Sequence, residues 1–358
     1  MAGSVQEALS TLEAPSGRVA IAVPDGTRSV QTVEALSALN EWLKAPAIVI
    51  VGLGLHRPMT DKELQPMRQA TPWPVVNHVP DECVDLGEVQ GIPCWVHPEI
   101  AAADHIITIG CVELHQYAGF SGGHKGVVVG CGGRATINAL HSQAMTCHPA
   151  VEVGRLQGNP FREAVDSLGE RIGTRLAIQW VAGHGWLAGD PRGILAEASR
   201  VLAPFYEHPS PEHSVLLRVP KTKAVNFYQA SRAATYLGLS PAPPLHTGAR
   251  LILDAACPEG LGTGSGELAF AKALHSVPAP WGDLLQGNAP DKGGVQRALM
   301  LARMAGRYSV IVAGCTNPEP LCSVGIEATS RTAEEIAGPD ALVLETPFIK
   351  LPQLVSAE

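Results

Sequence analysis

The hydrophobic positions of this chain form short runs rich in Val and Ile, separated by stretches in which apolar residues recur at helical spacing. In the first half these runs are RVAIAV (18–23), AIVIVGLG (47–54), ADHIITIGCVEL (103–114) and TRLAIQWVAG (174–183). In the second half they are SVLLRV (214–219), RLILDA (250–255), YSVIVAG (308–314) and ALVLE (341–345). Apolar runs that alternate with helical patterns predict an α/β fold with mostly parallel or mixed sheets.

Local signals place several helices between these runs. Val33, Leu36 and Leu39 lie at helical spacing and predict a helix over 31–44. Thr60 and Glu63 form a capping-box pattern, which predicts that a further helix begins after Thr60. RATINALHSQAM (134–145) predicts a short helix that includes His141, whereas KGVVVG (125–130) is only another apolar run.

A polar, proline-containing segment, LAPFYEHPSPEHS (202–214), separates two regions that each alternate strands and helices. A chain of 358 residues is long enough for two cores. We therefore predict two α/β domains, one at 1–208 and one at 214–344, with the tail 345–358 packing back on the first.

Composition narrows the functional classes. The chain has 26 Lys and Arg against 34 Asp and Glu, a formal net charge of −8, and no basic block, so we expect no nucleic-acid partner. It has neither a signal-like N-terminus nor an apolar stretch of membrane length, so we expect no membrane contact and a cytoplasmic location. The eight cysteines form no CxxC pair, and we expect them to be reduced.

Titratable side chains follow the predicted strands, where the loops of an open α/β sheet converge on one crevice. Two histidines on opposite sides of a substrate can exchange protons with it, and an arginine fork matches a carboxylate. A lysine amine can attach a carbonyl or thiocarbonyl cofactor, and a third histidine can bind a metal. This combination indicates reversible chemistry at the carbon beside a carboxylate. The residues concerned are Asp25, Arg28, His56, His115, Lys125 and His141.

Two glycine-rich segments invite a nucleotide interpretation. CPEGLGTGSGE (257–267) does not fit the dinucleotide fingerprint, and AGFSGGHKG (118–126) does not fit the P-loop because His124 precedes Lys125. We interpret the first as a flexible turn. The second is a stronger candidate for a binding loop, because histidines and a lysine surround it.

Four motifs resemble one known family. HQYAGFSGGHK (115–125) has the pattern H-x3-G-x-S-G-G-x-K, and a further histidine, His141, follows it. With PDGTR (24–28), GLHRPMT (54–60) and QGNPFREAVD (157–166), this pattern resembles the nickel-dependent lactate racemase family of 2-hydroxyacid racemases and epimerases. The similarity covers residues 20–170, and the second domain matches only in general character.

The resemblance implies a cofactor, the nickel-pincer nucleotide, a pyridinium-3,5-dithiocarboxylic-type mononucleotide whose two sulfurs and one ring carbon hold nickel. Lys125 would be its attachment point and His141 the protein ligand of the nickel. Cofactor biosynthesis proteins would supply it. The implied cofactor-binding residues are Asp25, Thr27, Arg28, Gly119, Ser121, Gly122, Gly123 and Lys125.

The resemblance also implies the reaction, in an active site within the interdomain cleft. His56 and His115 would be the acid/base pair, and Arg28 and Lys292 would hold the carboxylate of a small 2-hydroxy acid. The α-hydrogen would pass reversibly to the cofactor as hydride, with a bound 2-keto acid as intermediate. Lactate, longer aliphatic, aryl, dicarboxylic and sugar acids all stay open as substrates.

Two other functions stay open at this point. A zinc-dependent hydrolase could use some of the same histidines around an activated water, although the chain has no HExxH motif and Glu113 is the only acidic residue near His115. A non-catalytic carrier of the nickel cofactor would need Lys125 and His141 but no acid/base pair.

Overall fold

A computed structural model describes residues 3–28, 30–286 and 293–355. The chain divides into two compact units. The first consists of Met1–Glu113, Tyr117–Leu140 and Ala144–Leu202, and the second of Leu114–Gln116, His141–Gln143 and Ala203–Glu358. The last of these stretches begins within the polar segment 202–214.

The first unit contains a six-stranded sheet in the order β10-β9-β6-β1-β2-β3, parallel except for the β9–β10 hairpin. Its strands are β1 (Val19–Pro24), β2 (Ala47–Gly52), β3 (Val75–Asn77), β6 (His105–Val112), β9 (Thr174–Val181) and β10 (Gly185–Gly189). The pair β4 (Val84–Val89) and β5 (Ile92–Val96) forms a separate hairpin, and β8 (Gly119–Phe120) is short, as is β7 (Leu114–His115), which belongs to the second unit. Val19 to Val23 are buried on both faces of β1, as expected for the centre of a parallel sheet.

The helices of this part of the chain are α1 (Val5–Leu9), α2 (Thr32–Trp42), α3 (Asp61–Ala70), α4 (Pro98–Ala101), α5 (Arg134–Leu140), α6 (Gln143–Thr146), α7 (Pro160–Ile172) and α8 (Pro191–Leu202). The Thr60 capping box at the start of α3 is confirmed. Helix α7 begins after Asn159, whose side chain accepts from two backbone N–H groups, and ends at Gly173 in a left-handed conformation.

The second unit contains a five-stranded parallel sheet in the order β15-β14-β13-β12-β16. Its strands are β12 (Glu212–Arg218), β13 (Leu245–Asp254), β14 (Ser309–Ala313), β15 (Glu327–Ala328) and β16 (Leu342–Leu344). Its helices are α9 (Phe227–Gly238), α10 (Ser265–Ser276), α11 (Val295–Ala305), α12 (Glu319–Cys322) and α13 (Ala333–Ala337), with a 3-10 turn at Gly282–Gln286. In the tail, β17 (Leu351–Leu354) pairs in parallel with β11 (Phe205–His208).

The α/β prediction with mostly parallel sheets is confirmed, and one local prediction, the helix over 134–145, needs correction. The apolar run after Lys125 is a π-helix, Gly126–Gly130. The helix predicted over 134–145 is interrupted, so His141 lies in the break between α5 and α6 rather than on a helix. Ser142 follows His141, and serine favours the start of a new helix over the continuation of an old one.

Within the described ranges, every helix is too short or too polar to span a bilayer. None of the eight cysteines, all of which lie in these ranges, forms a disulfide.

Candidate active site

The ends of two neighbouring strands bring Asp25 and His56 together. Strands β1 and β2 are parallel with Pro24 opposite Gly52, so the loops that follow them leave the same edge of the sheet. His56 Nδ1 lies 2.7 Å from Asp25 Oδ2. The two side chains are only 16% and 8% exposed, so this contact is shielded from solvent.

The surroundings of Asp25 keep it ionised. Burial by itself would raise its pKa, but the charge and hydrogen bond of His56, followed by the charge of Arg28 and a hydrogen bond from Thr27, hold the pKa well below its usual range. Thr27 donates to Asp25 Oδ1 from its backbone N at 3.1 Å and its Oγ1 at 2.6 Å. An ionised carboxylate at Nδ1 selects the imidazole form that carries a proton there, which leaves Nε2 as the atom for proton exchange.

Two arginines near this pair have different partners. Arg28 donates from Nη1 to Thr27 Oγ1 at 2.7 Å, which ties the guanidinium to the Asp25 loop. Arg57, the neighbour of His56, makes a two-pronged ion pair with Glu63, at 3.0 and 2.9 Å. The hydrogen bond from Arg57 lowers the pKa of Glu63 to about 2 against the opposing effect of burial. Because Glu63 also caps α3, this pair fastens the loop that carries His56 to the helix.

The glycine-rich loop is packed too tightly for larger residues. Gly119, Gly122 and Gly123 have φ values of +71°, +91° and +57°, a region that side chains disfavour. A Cβ on Gly119 would lie 1.9 Å from the carbonyl oxygen of Arg155. Ser121 is buried, donates from Oγ to the carbonyl oxygen of Cys111 at 2.7 Å and accepts from the backbone of Glu113. The loop therefore has one defined shape.

Lys125 stands at the end of this loop, half-buried, immediately before the π-helix. The π-helix packs closely on the sheet: a Cβ on Gly126 would lie 2.3 Å from Thr108 Oγ1 on β6, and one on Gly52 would lie 3.0 Å from the Cα of Gly130. The backbone N of Gly54 also donates to the carbonyl oxygen of Gly130 at 2.9 Å. The main chain on both sides of Lys125 is thus fixed within the first unit.

A buried cluster beside Lys125 was missed by the sequence analysis, which treated His124 only as a departure from the P-loop. His124 Nδ1 lies 3.0 Å from Asp166 Oδ1, and Arg162 Nη1 lies 3.3 Å from the same oxygen. A Cβ on Gly169 would lie 2.4 Å from the His124 ring, so the helix needs glycine there. The motif QGNPFREAVD (157–166) contains both Arg162 and Asp166 and could have indicated this cluster.

The other predicted site residues belong to the second unit. His115 lies on β7 and His141 in the break between α5 and α6, and both are buried. Their segments, Leu114–Gln116 and His141–Gln143, are part of the second unit, whereas His56 and Lys125 are part of the first. Lys292 lies outside the described residues.

Among its described residues, the second unit also buries three cationic side chains that the sequence did not indicate, namely Lys223, Arg232 and Arg297. Lys223 Nζ lies 4.7 Å from the centre of the Phe348 ring. The guanidinium carbons of Arg232 and Arg297 lie 5.5 and 6.0 Å from the centre of the Tyr228 ring. Aromatic faces of this kind stabilise cations away from water.

The side chains of the candidate site include the donors that a nickel-pincer nucleotide would require from a protein. In the described part of the chain, no three His, Cys, Asp or Glu side chains form a group able to hold a metal by themselves. A nickel ion whose other ligands belong to a cofactor needs one protein donor, for which an imidazole such as that of His141 is suitable. The amine of Lys125 is a nucleophile able to form a covalent bond with a carbonyl or thiocarbonyl group. The residues present fit the group chemically.

Comparisons with known proteins identify what the chain is similar to. Residues 4–154 match the model of the lactate racemase N-terminal domain. The lactate racemase of Lactiplantibacillus plantarum is 32% identical over 122 residues, which cover 32% of this chain and 29% of that protein. The matched segment is thus less than a third of that racemase.

Solved structures extend the likeness to the whole fold. The lactate racemase apoprotein from Thermoanaerobacterium thermosaccharolyticum superposes with a TM-score of 0.80 at 18% identity, over 98% of this chain and 92% of that one. A Thermotoga maritima protein solved by structural genomics gives a TM-score of 0.76 at 17% identity, over 98% and 96% of the two chains. The resemblance to the lactate racemase family is therefore confirmed: residues 4–154 match the lactate racemase N-terminal domain, and the chain has the fold of a lactate racemase apoprotein.

Proposed function

We propose that this protein is a racemase or epimerase of a small 2-hydroxy acid. The observation that carries the proposal is the contact between His56 and an ionised Asp25 in a chain with a lactate racemase N-terminal domain. A histidine whose Nδ1 is held by a carboxylate can take a proton at Nε2 and return it, because the imidazolium that forms is stabilised by the carboxylate. Racemisation needs such reversibility.

The four residues proposed to act on the substrate have different roles. His56 takes the hydroxyl proton from one enantiomer of the substrate, and Asp25 keeps the ring in orientation throughout. His115 is the second acid/base residue and serves the other enantiomer. Arg28, held by Thr27 beside this pair, binds the substrate carboxylate with its planar fork.

We further propose that the cofactor is the nickel-pincer nucleotide, which, when bound, supplies a reversible acceptor for the α-hydrogen of the substrate. Lys125 attaches it and His141 completes the nickel coordination. Asp25, Thr27, Gly119, Ser121, Gly122 and Gly123 belong to the loops that would surround it. The tight packing of the glycine loop supports this assignment, since a loop of fixed shape keeps a covalent attachment point in place.

The test is a panel of enantiopure 2-hydroxy acids incubated with the nickel-loaded protein and analysed by chiral chromatography. We expect at least one acid to be converted to the mixture of isomers, together with nickel by elemental analysis and a mass increase on the peptide that contains Lys125. Nickel and added mass without isomerisation of any acid would instead favour a carrier. Retained zinc without a sulfur-bearing cofactor would favour a hydrolase.

A further inference from the structure

The segment that carries His115 is held in the second unit by the buried side chain of Arg297 on α11. Arg297 is 2% exposed. Its Nη1 donates to Gln116 Oε1, and its Nη2 donates to Ser231 Oγ at 3.0 Å. A guanidinium carries its N–H groups in a rigid plane, so one Arg297 side chain fixes the Gln116 side chain relative to helix α9.

Both neighbours of His115 are held by hydrogen bonds. Gln116 Oε1 also accepts from Thr235 Oγ1 at 2.8 Å, so two donors from two helices meet at one amide oxygen. On the other side, the backbone N of Leu114 donates to the carbonyl oxygen of Phe348 at 2.8 Å. A residue between two such anchors has little freedom to shift its backbone.

Arg297 is a buried cation that lacks a carboxylate partner among the described residues. Within residues 3–28, 30–286 and 293–355, no carboxylate forms an ion pair with Arg297, and its hydrogen-bond partners are neutral oxygens. Its Nε has no hydrogen-bond partner in these ranges. Burial of a charge without a counter-charge is unfavourable, so this arginine is a poor choice for stability alone. Arg297 does, however, connect Gln116 to Ser231, because it donates a hydrogen bond to each.

We propose that Arg297 is a positioning residue for the reaction: it holds Gln116, and through Gln116 it keeps His115 where its imidazole meets the substrate. The inference rests on the proposed function, in which His115 is the second acid/base residue. Arg297 acts through Gln116. Loss of the contact therefore affects the rate of the chemical step more than substrate binding.

The experiment compares variants of the nickel-loaded full chain. Gln116→Met keeps the size of the side chain and removes the acceptor, and Arg297→Lys keeps the charge and removes the fork. We expect each to lower kcat by about 10²-fold with KM changed much less, because misplacement of an acid/base residue by about 1 Å has an effect of this size. The double variant should fall no further than either single variant, since both remove the same link.

Two further variants separate positioning from general damage. Gln116→Glu restores an acceptor for Arg297 and should recover most of the kcat that Gln116→Met loses. Arg303→Lys makes the same chemical change on the same helix at an exposed position, where the side chain donates to Met300 Sδ, and should leave kcat unchanged. Wild-type kcat in Gln116→Met and Arg297→Lys, or effects that simply multiply in the double variant, would overturn the proposal.

A measurement without substrate keeps this test apart from that of the proposed function. Hydrogen exchange of the backbone amides at Gln116 and Tyr117 should become faster in Arg297→Lys and stay unchanged in Arg303→Lys. If the wild-type protein isomerises no 2-hydroxy acid, the proposed function fails, and the exchange rates still report whether Arg297 holds the segment. Unchanged exchange in Arg297→Lys refutes the positioning role even if the enzyme is active.

Discussion

Asp166 offers the sharpest test of how the segment beside Lys125 is stabilised. Its carboxylate accepts from His124 and Arg162 in the interior of the first unit, where all three side chains are less than a tenth exposed. Burial lowers the pKa of Arg162, and the charge of Asp166 opposes this effect. Asp166→Ala leaves Arg162 as a buried charge with no acidic partner among the described residues. Loss of one partner of such a pair costs about 3–5 kcal/mol.

The free energy of unfolding is measured by urea titration with tryptophan fluorescence. Five of the six tryptophans lie in the first unit, so the signal reports mainly on the part of the chain that contains Asp166. Glu163→Ala is the matched control, because Glu163 is an exposed acid on the same helix and contributes at most about 1 kcal/mol through the helix dipole. If Asp166→Ala cost no more than Glu163→Ala at an unchanged m-value, the buried pair would not be what holds this segment.

Three further predictions concern the candidate site. Asp25→Asn should lower kcat by about 10²-fold or more, measured by chiral chromatography, because the imidazole of His56 loses the carboxylate that orients it. Since the folded-state pKa of Asp25 lies below its unfolded value, its charge stabilises the fold above about pH 4. The stability difference between wild type and Asp25→Asn, from urea titrations at several pH values, should therefore narrow as the pH falls below this point. Gly119→Ala should cost more than Gly173→Ala in urea titration, since both have positive φ but only at Gly119 would a Cβ clash with the main chain, at the carbonyl oxygen of Arg155. His141→Ala should reduce nickel content while peptide mass spectrometry still shows the added mass on Lys125.

Much of the fold follows from the sequence pattern. Strands β1 and β2 were predictable because central strands of a parallel sheet are apolar on both faces, and α3 because Thr60 and Glu63 cap it. The π-helix at Gly126–Gly130 was not, because three consecutive valines between glycines look like a short strand. Its conformation depends on close contacts of Gly126 and Gly130 with the sheet, which no local pattern shows.

Some contacts of the candidate site were likewise predictable from the sequence, and others were not. The approach of Asp25 to His56 follows from strand adjacency, since both residues come shortly after neighbouring parallel strands. The partner of His124 is 42 residues away on a helix, and that of Gln116 is 181 residues away. A buried arginine on a helix looks like a solvated one in the sequence, because only the packing of other elements shows which face is covered.

Arg162 and Arg297 show how an acidic chain can hold positive charge inside for different purposes. Arg162 faces a carboxylate, so its charge is balanced within the fold and its removal mainly affects stability. Arg297 has no carboxylate partner among the described residues and faces neutral oxygens and the Tyr228 ring, so its charge is not balanced within the fold. Replacement of an unbalanced buried charge by an apolar group of similar size is often neutral or stabilising. Arg297 therefore has a role that stability does not explain, and its link to the residue beside His115 is the contact that accounts for it.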